Sequence, residues 1–151
     1  MTKDNTVDQN LSGEKESDGI NSDIQKIPGG TIIIMDDGEC IRDSLSGMLM
    51  ALGYDVIHMD DGTGVIDFLD QKHEGAEFIS AIILDLVIPG GMGGKDTAAA
   101  VRKRDSSIPV FAISGYNDDP IMARPEDYGF TASLGKPFLI KDLSDMLSNY
   151  I

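Results

Sequence analysis

The run Ile32-Ile33-Ile34-Met35 stops abruptly at Asp36-Asp37. An unbroken, mostly β-branched apolar run fits a strand buried on both faces, and such strands belong to parallel sheets. Two adjacent carboxylates at its carboxyl end mark the mouth of a polar site. Three later strands are expected to end in the same way, each delivering one polar residue: Asp85, Ser114 and Lys136.

Taken in order, the chain alternates. Strand 1 is expected over Thr31–Met35 and helix 1 from about Glu39 to Leu52, where Ile41, Leu45, Met48, Leu49 and Leu52 recur at helical spacing. Gly53 suits the left-handed position after a helix. Strand 2 runs from Asp55 to His58 or Met59. Asp60-Asp61-Gly62 then turns into helix 2, roughly Thr63 to Gln71, and this second acidic pair is adequately explained by capping and turn chemistry. Strand 3 is Ala81–Leu84, ending at Asp85, and helix 3 is about Lys95–Arg104. Strand 4 is Val110–Ile113, ending at Ser114-Gly115. Between Tyr116 and Gly129, Pro120 and Pro125 both limit a fourth helix. Strand 5, Thr131–Leu134, leads to Lys136-Pro137. Helix 5 runs from about Ile140 to the C-terminus, with Ile140, Leu143, Leu147 and Tyr150 on one face.

Five strand-then-helix repeats with short connections predict a doubly wound α/β fold, a parallel sheet with helices on both faces. Sites in such sheets lie at the carboxyl ends of the strands. Asp36, Asp37, Asp85, Ser114 and Lys136 all fall there. Residues 1–30 are polar and close with Pro28-Gly29-Gly30, so they read as a disordered tail or linker ahead of one domain over 31–151.

The net charge of −14 excludes the basic footprint that nucleic-acid binding needs and disfavours anionic membranes. A single cysteine, Cys40, excludes an internal disulfide framework and reads as a packing or surface residue. No apolar run approaches the roughly 18 to 20 residues of a membrane span, and the N-terminus lacks a signal-peptide core. Together these point to a reducing cytoplasm. Pro89-Gly90-Gly91-Met92-Gly93-Gly94 is not a nucleotide loop. Pro89 stands where the Walker pattern needs glycine, and Asp96 stands where it needs serine or threonine. His58 and His73 read as surface residues rather than ligands.

Singly, each strand-end residue has a dull explanation as a cap, a turn former or a surface charge. Jointly they do not. Three carboxylates at one rim raise one another's pKa unless a cation sits among them. All-oxygen ligation suits Mg²⁺, which favours phosphate. Lys136 adds a positive charge for a phosphoryl oxygen, and Ser114 adds a hydroxyl donor. Asp85 is then the candidate nucleophile, because a carboxylate can carry an acyl phosphate.

These motifs resemble the receiver domain of two-component response regulators over about Thr31 to Tyr150. The resemblance rests on Asp36-Asp37, on Asp85-Leu86-Val87-Ile88-Pro89-Gly90, on Ser114-Gly115 and on Lys136-Pro137-Phe138. Receivers attached to hybrid sensor histidine kinases are most similar. The resemblance implies a flavodoxin-like sheet of order 2-1-3-4-5. It implies that Asp85 accepts a phosphoryl group from a phosphohistidine on a sensor histidine kinase or histidine phosphotransfer protein. Mg²⁺ would be held by Asp37, Asp85 and the backbone carbonyl of Val87, with Asp36 acting mainly through water. Lys136 would contact the phosphoryl group, Ser114 would hydrogen-bond it, and the Lys136-Pro137 bond would be cis. The face of helix 4, strand 5 and helix 5 would meet a downstream protein. Such a domain catalyses only its own phosphorylation and dephosphorylation. No output domain is expected after helix 5.

One position departs from the pattern. Receivers usually carry Tyr or Phe three residues before the lysine, and here it is Ser133. The expectation is that output passes instead through the loop after Ser114 and the proline-limited helix 4. Val87 and Tyr116 should border the phosphoryl group and slow its hydrolysis, Val87 because it cannot orient a water. Two alternatives stand beside this one. An aspartyl phosphatase would need a second Asp at position 87. A binding module that is never phosphorylated would normally have lost an acidic residue or the lysine.

Overall fold

The computed structural model describes residues 30–71 and 79–151. The tail expected over residues 1–30 lies outside them except for Gly30, and so does His73.

Five parallel strands form one sheet: β1 (Thr31–Met35), β2 (Asp55–Met59), β3 (Ile79–Asp85), β4 (Val110–Ser114) and β5 (Ala132–Gly135). Their order is β2-β1-β3-β4-β5, the order that the resemblance implied. The three central strands, β1, β3 and β4, are buried at every position. That is why they carry unbroken apolar runs rather than alternation.

Successive residues of β1 feed opposite faces of the sheet. Ile32 and Ile34 pack with Leu45 and Leu49 of α1 (Glu39–Ala51) and with Leu143, Met146 and Leu147 of α5 (Ile140–Tyr150). Ile33 and Met35 pack on the other side. There they meet Val65 of α2 (Gly62–Asp70), Ala98 and Val101 of α3 (Gly94–Arg104), and Ile121 of α4 (Pro120–Ala123). The sheet is therefore sandwiched between α1 and α5 on one face and α2, α3 and α4 on the other.

Local chemistry sets the element ends. Gly53, at φ 102, turns the chain out of α1 in the left-handed region, as its position suggested. Asp61 caps α2 by accepting from the Gly64 amide at 3.2 Å, so the second acidic pair is a capping turn. The fourth helix is split. Asp119 caps a single turn by accepting from Ile121 N at 2.9 Å, and Pro120 occupies the first helical position. Arg124, just before Pro125, leaves helical geometry at φ −135 and ψ 66, and a 3-10 turn follows over Pro125–Tyr128.

The expected apolar stripes hold from Leu45 to Leu52 of the first helix and at Leu143 and Leu147 of the last, and fail at Ile41, Ile140 and Tyr150. Ile41 is exposed on the first turn of α1, where it flanks Pro137 and Phe138 rather than the strands. Ile140 and Tyr150 are likewise exposed at the two ends of α5. Strand β3 starts two residues before its expected position because Ile79 pairs with Thr31. Cys40 lies exposed on α1.

Candidate functional site

All five strands run the same way, so their carboxyl ends open on one edge of the sheet. The backbone ladder continues past those ends and fixes the first residue beyond three of the strands. Asp36 N donates to Met59 O at 3.2 Å, Leu86 N to Ile113 O at 3.0 Å, and Lys136 N to Ser114 O at 2.8 Å. The Lys136-Pro137 bond is cis.

Lys136 Nζ donates to Asp85 Oδ2 at 3.0 Å and to Asp36 Oδ2 at 3.1 Å. The remaining oxygens are also engaged. Asp85 Oδ1 accepts from Val87 N at 3.1 Å, and Asp36 Oδ1 accepts from Gly38 N at 2.8 Å. Each buried carboxylate thus takes one backbone amide and shares one ammonium. Asp37 is exposed at the mouth, and the three carboxylates offer oxygens within 4.8 Å of one another. One ammonium against three carboxylates leaves net negative charge and an all-oxygen donor set, which fits a small divalent cation.

The electrostatics follow from burial. Asp85 is 6% exposed, and desolvation raises its pKa above the ordinary carboxylate value. The Val87 amide and Lys136 pull it down without prevailing, and the neighbouring Asp36 pushes it up further. For Lys136, burial works against the ammonium, but Asp85 and Asp36 outweigh it and raise its pKa. Above this base opens a cleft of about 510 Å³. Asp37, Asp85, Ser114 and Lys136 supply its polar groups, and Val87, Pro89 and Tyr116 supply its apolar wall.

The family model for the response regulator receiver domain matches residues 32–148. The chain belongs to the response regulator receiver domain family. Among curated proteins, this receiver is similar to the transcriptional regulatory protein FixJ of Bradyrhizobium diazoefficiens. They are 28% identical over 122 residues, which is 81% of this chain and 57% of FixJ. It is also similar to the CAI-1 autoinducer sensor kinase/phosphatase CqsS of Vibrio cholerae, at 24% identity over 144 residues, 91% of this chain and 20% of CqsS. The chain therefore spans only part of the length of these relatives.

Among solved structures, the receiver domain of the sensor histidine kinase PA1611 from Pseudomonas aeruginosa superposes with a TM-score of 0.70 at 21% identity. The match covers 81% of this chain and 97% of that one, and that structure holds a magnesium ion in its active-site cleft. The chemotaxis protein CheY4 of Vibrio cholerae gives 0.70 at 23% identity, over 81% and 98%. These likenesses show the shared fold.

Within this receiver, the residues singled out in the sequence meet, with one change of level. Asp36 is not at the rim beside Asp37. It lies beneath, 2% exposed, because the Gly38 amide and Lys136 draw it inward. Val87 and Tyr116 do border the cleft. His58 is exposed on β2 with Nε2 2.6 Å from Ser46 Oγ, and Asp60 pairs with Arg42. Neither belongs to the acidic group. Pro89 and Gly115 also line the cleft, and both stand in the motifs that follow Asp85 and Ser114 in the sequence.

Proposed function

We propose that this receiver accepts a phosphoryl group on Asp85 from a phosphohistidine of a sensor histidine kinase or histidine phosphotransfer protein. The supporting observation is the pairing of Lys136 with a buried Asp85 at the base of an acidic cleft. In the transfer, an Asp85 carboxylate oxygen forms a bond to phosphorus and the phosphorus–nitrogen bond breaks. The electron pair leaves with the imidazole. Lys136 is already within hydrogen-bond distance of the nucleophile, so a phosphoryl oxygen arriving there meets a positive charge. Ser114, which also lines the cleft, offers a hydroxyl. Asp37, Asp85 and the Val87 carbonyl would hold Mg²⁺, with Asp36 supporting it through water. Bound there, Mg²⁺ supplies charge neutralisation for the phosphoryl oxygens.

A donor histidine must reach the bottom of the cleft, so its protein must seat on the surrounding rim. Val87 and Tyr116 line it at 41% and 62% exposure. Past Lys136 the chain continues through Pro137 and Phe138, which share a groove with Ile41, to the exposed Leu139. For the downstream target we propose the face formed by α4, β5 and α5. It carries the edge strand β5 and the exposed Tyr150.

Intact mass after incubation with acetyl phosphate and Mg²⁺, with Asp85→Asn alongside, tests the reading. The expected result is a metal-dependent gain of one phosphoryl group in the native protein and none in the variant. No gain in either protein would leave a binding module that is never phosphorylated.

A further inference from the structure

Strand β5 presents two different sides. Ala132 and Leu134 pack into the core with Phe111 and Leu143. Ser133 and Gly135 lie on the opposite side, two residues apart, and both are small. The chain between β4 and β5 rests on that side at two points. The Ser133 hydroxyl donates to the carbonyl oxygen of Met122 in α4 at 2.8 Å. At Gly135, an added Cβ would come within 2.7 Å of Asn117 Oδ1, so the Asn117 side chain lies directly on bare backbone.

Two further contacts bound this segment. At its start, Ser114 Oγ accepts from Tyr116 N at 3.0 Å. At its return to β5, Arg102 of α3, which also donates to Ile108 O ahead of β4 at 2.7 Å, donates to Gly129 O at 2.8 Å. The stretch from Gly115 to Ala123 is therefore tied to the cleft at one end and pinned by Arg102 beyond the other, and it is seated on β5 between.

We propose that Ser133 latches α4 to β5, so that the segment 115–123 and strand β5 respond as one unit to the state of Asp85. The inference rests on the phosphoacceptor reading above. A phosphoryl group on Asp85 brings new acceptor oxygens to the wall that Ser114 lines. To donate to one of them, the Ser114 hydroxyl must turn its proton toward Asp85. That reorients the oxygen that accepts from the Tyr116 amide, and the 115–118 turn shifts with it. Without a latch that shift would dissipate in an exposed loop. The Met122–Ser133 bond and the Asn117–Gly135 contact carry it onto β5, whose next residue is Lys136.

The test is residue-resolved hydrogen exchange by NMR on native protein, Ser133→Ala and Ser133→Thr, each with and without acetyl phosphate and Mg²⁺. Intact mass is taken on the same samples. The Met122 and Arg124 amides, bonded to Asp119 O and Pro120 O, report the seating of α4. In unphosphorylated protein, losing the latch should speed their exchange about tenfold in Ser133→Ala, while Ser133→Thr keeps native rates. Equal rates in all three proteins would overturn the latch whatever happens at Asp85. On phosphorylation, Ser133→Ala should gain the same mass as native protein but lose the change at Met122 and Arg124. A variant that gains the mass and shows native changes there would overturn the coupling and leave the phosphoacceptor reading intact. Absence of any mass gain would sink that reading and the coupling with it.

Discussion

Lys136 and Asp85 meet at 3.0 Å across the carboxyl ends of two strands that are not neighbours, and Lys136 reaches Asp36 in the same geometry. One ammonium thus serves two buried carboxylates. Removing it leaves both without a counter-charge, whereas removing Asp85 leaves Lys136 still paired with Asp36. Lys136→Met should therefore destabilise the protein by about 3 kcal/mol, the cost of orphaning a buried ion pair. Asp85→Asn should be neutral or stabilising. Urea unfolding of both variants in chelator-treated buffer checks the contrast.

The same pair sets a dependence on pH. Asp85 has a raised pKa, so the folded protein binds that proton more tightly than the unfolded chain. Its ionisation costs stability as pH rises from the ordinary carboxylate value, about 3.9, through the raised one. Across that window Asp85→Asn should gain stability relative to the native protein. The Lys136 pKa is also raised, but with the opposite consequence, because its charged form is the one stabilised. Its contribution is complete below the ordinary lysine value, about 10.4, and is lost as pH rises through the folded value. Urea midpoints measured at intervals across both windows read the two slopes.

Phosphoryl lifetime should depend on the apolar wall. Val87 lines the cleft without a polar group to orient an attacking water, and Tyr116 belongs to the same apolar lining. Val87→Asn should shorten the lifetime of the acyl phosphate about tenfold, less than the roughly 100-fold or more of a true general base, because asparagine can orient a water but not take its proton. The decay of the phosphorylated mass with time measures it, and an unchanged rate would contradict this account of Val87.

The close approach of α2 to α3 should tolerate no side chain at Gly62. A Cβ there would fall 1.9 Å from Thr97 Oγ1 and 2.6 Å from Met92 Sδ, and Gly62 N is bonded to Met92 O at 2.9 Å. Thr97 is fully buried and cannot give way easily. Gly62→Ala should cost about 2 kcal/mol by overpacking. Thermal unfolding provides the measurement, with Gly47→Ala as a control, because nothing lies within 4 Å of a Cβ added there.

Docking of the phosphodonor should depend on the rim. Leu139 is 69% exposed beside the cis Lys136-Pro137 bond. Leu139→Lys should slow transfer from a phosphorylated kinase or phosphotransfer protein about tenfold, as expected for losing an apolar contact at an interface. Labelling by acetyl phosphate, which needs no docking, should be unchanged. Parallel time courses with the two donors separate these effects.

The residues that make the site were visible in the sequence because each stands at or just past the end of a strand. Asp36, Asp85 and Ser114 close apolar runs, Lys136 follows a mixed stretch, and parallel winding brings all four to one edge. Asp61 was visible as a cap for an equally local reason. The level of Asp36 was not visible, because it depends on the Gly38 amide and on Lys136, a hundred residues away. Nor was the role of Ser133, since its partner Met122 belongs to a helix so short that no periodicity announces it. The exposure of Ile41 escaped for a related reason. Helical spacing assigns a face, but what lies opposite that face is set by neighbouring loops.

By itself, then, the sequence determined the order of the strands' chemistry, the α/β winding and the identity of the acidic and basic groups. Those follow from burial patterns and local turn chemistry, which act over a few residues. Tertiary structure alone decided that one lysine would bridge two buried carboxylates and that a serine hydroxyl would seat α4 on β5. Both are contacts between side chains and groups remote in sequence, and only the packed sheet brings them within hydrogen-bond distance.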